Sequence, residues 1–565
     1  MSRARALALA AAAAVAALAA LRAVPPVLAG WPLSPDAVEH LAIANSLVHG
    51  AGFVDPVQWS YYLSEDPPLP AFAMRAPVVP LLLAAPLGLG ATLAQVLLAH
   101  ALWASLVAGA CVLVARRFMG LPAAAGAALG IAGSSAWAEV ASHPWTEATS
   151  LAALVLVLAT ARGALRSVPG ALVCAACTLV AWGTRPNLGL LAPAVVLGAA
   201  WQLGPRAALR SRPLWAYAFG FALLHRLVVV AVRAWTGLAP YEGYGFLLEV
   251  LRIPDAWLYR THYAGPAAFA AAHAGELASR ALANARGLGV ALFLDPRLQW
   301  AGWLLLPALA VAARERERAE VAEGLEARVC LVLAAGLALA VVANFAVFDT
   351  RRFPLPIACA SWLAGAWALD RVARRRAGRA TGRRAALWRA TPLAAAVLLF
   401  AGGSGAPLAA ELRAMASRAP GPAGERYDSW DAAARAWCPL LEPDALVAAP
   451  SPWSVVLWCG NAALRLPSDL ASRAWLERFV AEKRPRYLAA SGPRFEALFE
   501  SSERLARRAT EGRSFLYEVV DAESPGAWRA PPPLVCAGRA EACPRRPRRS
   551  RRSRWRLTPS QTRSR

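Results

Sequence analysis

The sequence predicts a mainly α-helical, polytopic membrane protein: a bundle of about eleven spans plus interfacial helices, with a small C-terminal α/β domain outside the membrane. Three observations carry this prediction. The chain is 58% hydrophobic and only 17% charged, against roughly 45–50% and 25% in a soluble globular domain. The excess lies in long Ala/Leu/Val runs of the length that crosses a bilayer. The arginines between those runs alternate with the runs themselves, as the positive-inside rule requires.

Taken in order, the first span covers residues 6–29. Arg3 and Arg5 before it place the N-terminus in the cytoplasm. Its apolar stretch is too long for a signal-peptide core, and no small-residue cleavage site follows, so an uncleaved span is preferred. A polar, aromatic and proline-rich outer loop follows, residues 31–76. Residues 77–89 are apolar but too short to cross, which predicts an interfacial or re-entrant helix. Spans two to seven are placed at 91–115, 121–138, 147–162, 169–183, 188–203 and 214–235. A longer outer segment, 236–296, contains Tyr241, Tyr244, Trp257 and Tyr259, residues suited to the membrane interface. Spans eight to eleven are placed at 298–313, 328–347, 353–369 and 390–408. In this arrangement nearly every arginine cluster between spans falls inside. Arg185 and the pair Arg351/Arg352 are the exceptions, and intramembrane or misplaced charges point to function.

The net charge of +24 does not indicate nucleic acid. Residues 526–565 contain twelve Arg and one acid, and residues 370–389 eight Arg and Asp370, so these two stretches supply +18. One is a cytoplasmic loop; the other, Pro/Arg/Ser-rich from Pro531 onward, is predicted to be a disordered, solvated tail. Three regions result: a membrane domain over 1–410, an α/β domain over 425–525 and the tail. Within the second, short apolar runs at 445–449, 463–466, 486–490 and 514–520 read as strands, and 451–460 and 469–483 as helices. It has no Gly-rich phosphate loop. Cys438 and Cys459 lie there and are able to bridge if the compartment is oxidising. Cys111, Cys174, Cys177, Cys330 and Cys359 lie in apolar helices and read as packing residues.

Four polar clusters fall on the predicted outer side. In the first, Ser34 or Asp36 caps a helix on which Asp36 and His40, four apart, share a face; Glu39 lies between them. A capped, solvated helix is the alternative reading. The second is Arg75, where the chain re-enters the membrane and a cation is able to snorkel. The third is Glu139, His143 and Glu147, the last at the start of a span, where a carboxylate complements the helix dipole. The fourth is Arg185 in Thr-Arg-Pro-Asn with Arg351 and Arg352. Guanidinium groups suit phosphate through permanent charge and bidentate donation. Carboxylates beside such arginines suit sugar transfer from a phosphate-activated lipid. One carboxylate takes a proton from an acceptor hydroxyl, and the cations stabilise the departing phosphate.

Asp36-Ala-Val-Glu-His-Leu-Ala-Ile-Ala-Asn-Ser-Leu-Val-His-Gly-Ala-Gly-Phe53, Arg75-Ala-Pro-Val-Val-Pro80, Glu147, Thr184-Arg-Pro-Asn187 and Thr350-Arg-Arg-Phe-x-x-Pro356 occur in that order. In this order and spacing the chain, over residues 5–400, resembles the GT-C membrane glycosyltransferases, which include protein O-mannosyltransferases and aminoarabinose transferases. The resemblance implies Asp36 as catalytic base, with Glu39 as the second acid of the first loop. It implies Arg185, Arg351 and Arg352 as ligands of the donor phosphate, and His40, Arg75 and Glu147 as lining of the same cavity. The family's usual Arg-Pro-Pro is Arg75-Ala76-Pro77 here. No metal is assigned to the site. Some relatives use a divalent metal, for which Asp36, His40, Glu139 and His143 are the available ligands, although no spacing is diagnostic.

The resulting expectation is an inverting glycosyltransferase of the bacterial inner membrane. Its donor would be a polyprenyl-phosphate sugar and its acceptor an envelope glycan, lipid or protein, with membrane lipids as neighbours and the site and C-terminal domain on the periplasmic side. A transporter or flippase of a lipid-linked or anionic substrate uses intramembrane Arg equally well, but the matching half-repeats typical of carriers are absent from the sequence. An inactive scaffold that binds a lipid-linked sugar is the third reading.

Overall fold

A computed structural model of the chain describes residues 2–30, 33–58, 67–241, 266–314, 324–343, 352–416, 424–467, 470, 472–520 and 531–536. Arg351, Tyr244, Trp257, Tyr259 and the tail beyond residue 536 lie outside the described residues. The membrane part comprises α1 (Arg3–Leu28), α2 (Pro35–Val48), α3 (Val78–Gly88), α4 (Leu93–Ala115), α5 (Leu121–Gly133), α6 (Ser135–Ser142), α7 (Thr146–Thr160), α8 (Val168–Thr184), α9 (Leu191–Leu203), α10 (Arg212–Thr236), α11 (Ala274–Phe293), α12 (Leu305–Arg314), α13 (Leu325–Val342), α14 (Leu355–Ala377) and α15 (Gly382–Ala416). Among the described residues seven helices are long and apolar enough to cross a membrane, and several shorter apolar ones pack beside them. The protein is a multi-pass membrane protein.

Helix starts follow local chemistry. Ser34, not Asp36, caps α2: its Oγ accepts from the Ala37 N–H at 3.3 Å, with Pro35 in the first turn. That leaves the Asp36 carboxylate for other partners. Thr92 and Gln95 form a reciprocal capping box at α4. Gly109 of α4 lies where an added Cβ would stand 2.6 Å from the Ala12 carbonyl oxygen, so the close approach of α1 and α4 requires glycine.

Two parts of the bundle differ from the sequence reading. The predicted third span, 121–138, is broken at Ser134. Its extended backbone ends α5, and its Oγ then caps α6 by accepting from the Trp137 N–H at 3.0 Å. The freed carbonyl of Gly133 is taken by the Arg22 guanidinium, which also donates to Ser135 Oγ at 3.1 Å. A buried cation inside the first apolar run is thus consumed by the helix break. The second difference is in the long segment before span eight, where Pro266–Ala272 and α11 are helical. In α11, Leu277, Asn284, Leu288 and Ala291 recur at three-, four- and seven-residue spacing and form its buried stripe.

The extramembrane part is a six-stranded sheet in the order β2-β5-β4-β6-β8-β7. After α16 (Gly424–Trp437) come β4 (Val447–Ala449), α17 (Pro452–Cys459), β5 (Ala463–Arg465), α18 (Arg473–Lys483), β6 (Tyr487–Ser491), α19 (Pro493–Glu500), β7 (Leu505–Glu511) and β8 (Ser514–Val519). The strands and helices expected at 445–490 and 514–520 are all present. The outermost strand comes from elsewhere: β2 (Val57–Gln58), in the first loop, pairs in parallel with Ala463 and Leu464. The first loop also carries a two-stranded pair, β1 (Val54–Asp55) with β3 (Leu69–Pro70).

One face of the large sheet packs onto α2 and α17 through Val38, Leu41, Val57, Val447, Val455 and Leu516. The other face buries Phe479, Phe499 and Tyr517 under α18 and α19. Residues 531–536, which composition assigns to the tail, pack on this assembly instead. Leu534 is buried, and the Asn45 side-chain amide donates to the Pro532 carbonyl at 2.8 Å. Cys438 and Cys459 form a disulfide, while Cys111, Cys174, Cys177, Cys330 and Cys359 are free thiols in the helices. The C-terminal domain is therefore seated on the first loop, at the end of the bundle where α2 lies.

Candidate active site

α2, the turn before α3, the start of α7, the end of α8 and the start of α14 meet at one end of the bundle. They bring together six of the site residues picked from the sequence, in an alternating row of charge. Arg75 donates to both oxygens of Glu39, from Nε at 2.6 Å and from Nη2 at 2.5 Å, and to Asp36 Oδ1 at 2.8 Å. Arg352 donates to Asp36 Oδ2 and, from Nε at 3.1 Å, to Glu147 Oε1. Arg185 completes the row with a 2.8 Å bond from Nη1 to the same Glu147 oxygen. The order is Glu39, Arg75, Asp36, Arg352, Glu147, Arg185: three acids and three guanidiniums, with no net charge.

Buried charges persist only when paired and hydrogen-bonded, and here each interior member has two partners. The side chains of Glu39 and Glu147 are sealed from solvent, whereas that of Asp36 is 23% exposed. Asp36 is thus the one carboxylate of this row that is open to solvent. Burial pushes its carboxyl up, but the Arg75 and Arg352 guanidiniums more than offset this and hold it well below the usual carboxylate range.

The surrounding residues fix the arginines. The Arg352 guanidinium lies over the Trp145 ring, 4.3 Å from its centroid, and the Trp145 indole N–H donates to Ser34 Oγ. Arg185 lies 5.6 Å from the Phe353 ring centroid. Beyond Arg185 the site continues into a small cleft lined by Asn187, Leu337, Val341 and Phe353. His40 is buried beneath Asp36, its Nδ1 without a hydrogen-bond partner among the described residues. Burial, reinforced by Arg75, lowers it to about 3, so the ring is neutral at physiological pH.

Three contributors were not picked out from the sequence. Asp55, at the end of β1, is fully buried; its Oδ1 accepts from the Val57 N–H at 2.9 Å. Burial and the adjacent Glu39 carboxylate push its pKa well up, which favours the protonated acid beside Glu39. An acid in the apolar run Phe53-Val-Asp-Pro-Val57 was the available signal. Trp453, from α17 of the C-terminal domain, donates its indole N–H to Glu39 Oε2 at 3.3 Å. Nothing in the sequence around Trp453 points to residue 39. Trp145, which lies within the third polar cluster but was given no role there, is the third.

The four residues considered for a metal do not converge. Asp36 is engaged by two arginines, and the His143 ring nitrogen Nδ1 lies 3.0 Å from the Glu139 backbone oxygen. Among the described residues no group of three or more His, Cys, Asp or Glu is placed to hold a metal ion. The side chains present do not fit such a site.

No protein-family model matches the sequence, and no curated protein matches it. Solved structures do match. Over 91% of this chain and 99% of the other, it superposes on ArnT from Cupriavidus metallidurans bound to undecaprenyl phosphate, with a TM-score of 0.54 at 15% identity. The apo form of that ArnT gives 0.50 at 15% identity, over 93% of this chain and 100% of the other. The Archaeoglobus fulgidus oligosaccharyltransferase in complex with Zn and sulfate also gives 0.50, at 14% identity over 93% and 76%. The chain shares the fold of these membrane proteins. The polytopic architecture implied by the motif order over residues 5–400 is thus the one observed in the bundle.

Proposed function

We propose that the protein is an inverting membrane glycosyltransferase. It moves a sugar from a polyprenyl-phosphate donor to a cell-envelope glycan, lipid or protein, with Asp36 as the base. The observation that carries this reading is the reachable Asp36 carboxylate at the centre of a row of guanidiniums. An acceptor hydroxyl attacks the anomeric carbon and passes its proton to Asp36. The bond from that carbon to the phosphate oxygen breaks, and its electrons leave on the polyprenyl phosphate. Arg352, Arg185 and, from outside the described residues, Arg351 receive that charge. One displacement inverts the anomeric centre. Glu39, sealed and held by Arg75, Asp55 and Trp453, orients Arg75 rather than touching substrate. Glu147 does the same for Arg352 and Arg185, and His40 supports Asp36 from below.

As it stands, Asp36 is a weak base, because two guanidiniums stabilise its anion. A donor phosphate competes for Arg352, since phosphate and carboxylate make the same bidentate bonds. When phosphate takes that guanidinium, Asp36 loses one stabilising partner and becomes more basic. Donor binding thus prepares the base. The fold likeness to a protein crystallised with undecaprenyl phosphate supports the donor class. The Cys438–Cys459 disulfide and the arginine distribution support placing the site and the C-terminal domain on the extracytoplasmic side of the inner membrane. Through Trp453 and β2 the C-terminal domain is placed to help select the acceptor.

Incubating the purified protein with polyprenyl-phosphate sugars tests the reading: free polyprenyl phosphate should appear with acceptor turnover. Asp36→Asn should cut release by at least about a hundredfold while insertion and folding persist. Full activity in that variant refutes the role. Stoichiometric binding without release points instead to a scaffold, and movement of intact donor across vesicles to a carrier.

A further inference from the structure

At the opposite end of the same helices is a second polar site. α4 runs from the neighbourhood of the candidate active site to Arg117, and α7 from Glu147 to Arg162. Fifteen helical residues span about 22 Å, so the two ends are separated by most of the bilayer core. A cleft of about 660 Å³ opens there, lined by Arg117, Arg162, Arg166, Ser167, Val173 and Glu326. One carboxylate faces three guanidiniums, and its charge is already taken: Arg162 Nε bonds Glu326 Oε1 at 2.5 Å. The arginines also tie the walls together, with Arg117 Nη1 donating to the Ala159 carbonyl at 3.1 Å and Arg162 Nη2 to the Arg117 carbonyl at 3.0 Å. Arg117 and Arg166 are exposed at the mouth and leave the cleft with an excess of two positive charges. Ser167, whose Oγ accepts from the Gly170 N–H at 3.2 Å, keeps its hydroxyl proton for a ligand.

The cleft is not a closed anion hole. Its wall includes Val173 of α8, which is 54% exposed, and the same face continues along the helix to Val180 at 46%. A ligand with its charge among the arginines would lay a hydrocarbon chain along that face. We propose that this cleft binds an anionic phospholipid of the adjacent leaflet, its phosphate between Arg117, Arg162 and Arg166 and an acyl chain over Val173 and Val180. Basic pockets between helices at a membrane surface recognise such head groups, and the bidentate geometry of Arg suits phosphate. The apolar wall selects a lipid over a free anion. This site is independent of the proposed sugar transfer.

Native mass spectrometry of the purified full-length protein in detergent tests it, with phosphatidylglycerol titrated against phosphatidylethanolamine and with inorganic phosphate as competitor. The double variant R117Q/R166Q should weaken phosphatidylglycerol retention by about thirtyfold, from roughly fivefold for each arginine near the head group. The variant R206Q/R210Q, which removes two exposed arginines outside the cleft, should leave retention unchanged. If the double variant is not monodisperse, R166Q alone should give roughly a fivefold loss, since Arg166 makes no hydrogen bond among the described residues. Equal loss in both double variants would show general surface attraction and overturn the site. So would retention unchanged by R117Q/R166Q, no preference over phosphatidylethanolamine, or full displacement of the lipid by millimolar phosphate.

Discussion

Replacing Arg352 by Met strips one guanidinium from both Asp36 and Glu147. Each lost bond is a charge-assisted hydrogen bond, contributing about 1.5–3 kcal/mol. The cost of orphaning a buried charge, about 3–5 kcal/mol, is an upper bound, because Asp36 keeps Arg75 and Glu147 keeps Arg185. We expect a destabilisation of about 3 kcal/mol for Arg352→Met and about 2 kcal/mol for Glu147→Gln. The row carries no net charge, so the first change leaves one unbalanced negative charge and the second one positive. Together they restore neutrality. The double variant should therefore cost about 3 kcal/mol rather than the sum, a coupling of about 2 kcal/mol. Mixed-micelle unfolding of the four proteins, followed by tryptophan fluorescence, measures the cycle. Additivity within about 0.5 kcal/mol would mean that the two residues do not share one electrostatic network, and the alternating row would be refuted.

Three further outcomes follow from the same geometry. His40 is held near 3 in the folded protein against 6.5 in an unfolded chain, so the unfolded state binds more protons between those values. Its contribution to stability therefore falls as pH drops from 6.5 toward 3, by up to about 1.4 kcal/mol per unit. His40→Gln should flatten the stability–pH profile in that window, and an unchanged profile would contradict the neutral ring. Asp55→Asn should be tolerated within about 1 kcal/mol, because the amide can still accept from Val57 and donate to Glu39. Asp55→Ala, which leaves Val57 N–H and Glu39 short of a partner, should cost about 2–3 kcal/mol in the same unfolding assay. Gly109→Val should destabilise the α1–α4 contact by about 2–3 kcal/mol, since its Cβ would meet the Ala12 carbonyl; a melting temperature unchanged from the parent would show that the helices separate freely.

Local chemistry alone determined much of the architecture. Apolar run lengths set the helices because a bilayer demands internal satisfaction of backbone groups. Arginine placement ordered the spans, and alternating short runs announced the C-terminal sheet. The motifs nominated all six members of the charged row: Asp36, Glu39, Arg75, Glu147, Arg185 and Arg352. Tertiary structure alone decided how they connect. Residues 39, 75, 147, 185 and 352 lie far apart along the chain, and ion pairing at such separations depends on helix packing, which one sequence does not encode visibly. The same reason hid the break at Ser134, where a distant Arg22 supplies the missing partner for Gly133. It also hid the strand Val57–Gln58, two residues long, whose partner Ala463 lies four hundred positions away. A lone tryptophan such as Trp453 carries no local sign of the acid it will meet. The preference for Asp36 over Glu39 was already implied by the motif, and the fold added the difference in exposure: the Asp36 side chain is open to solvent and that of Glu39 is sealed.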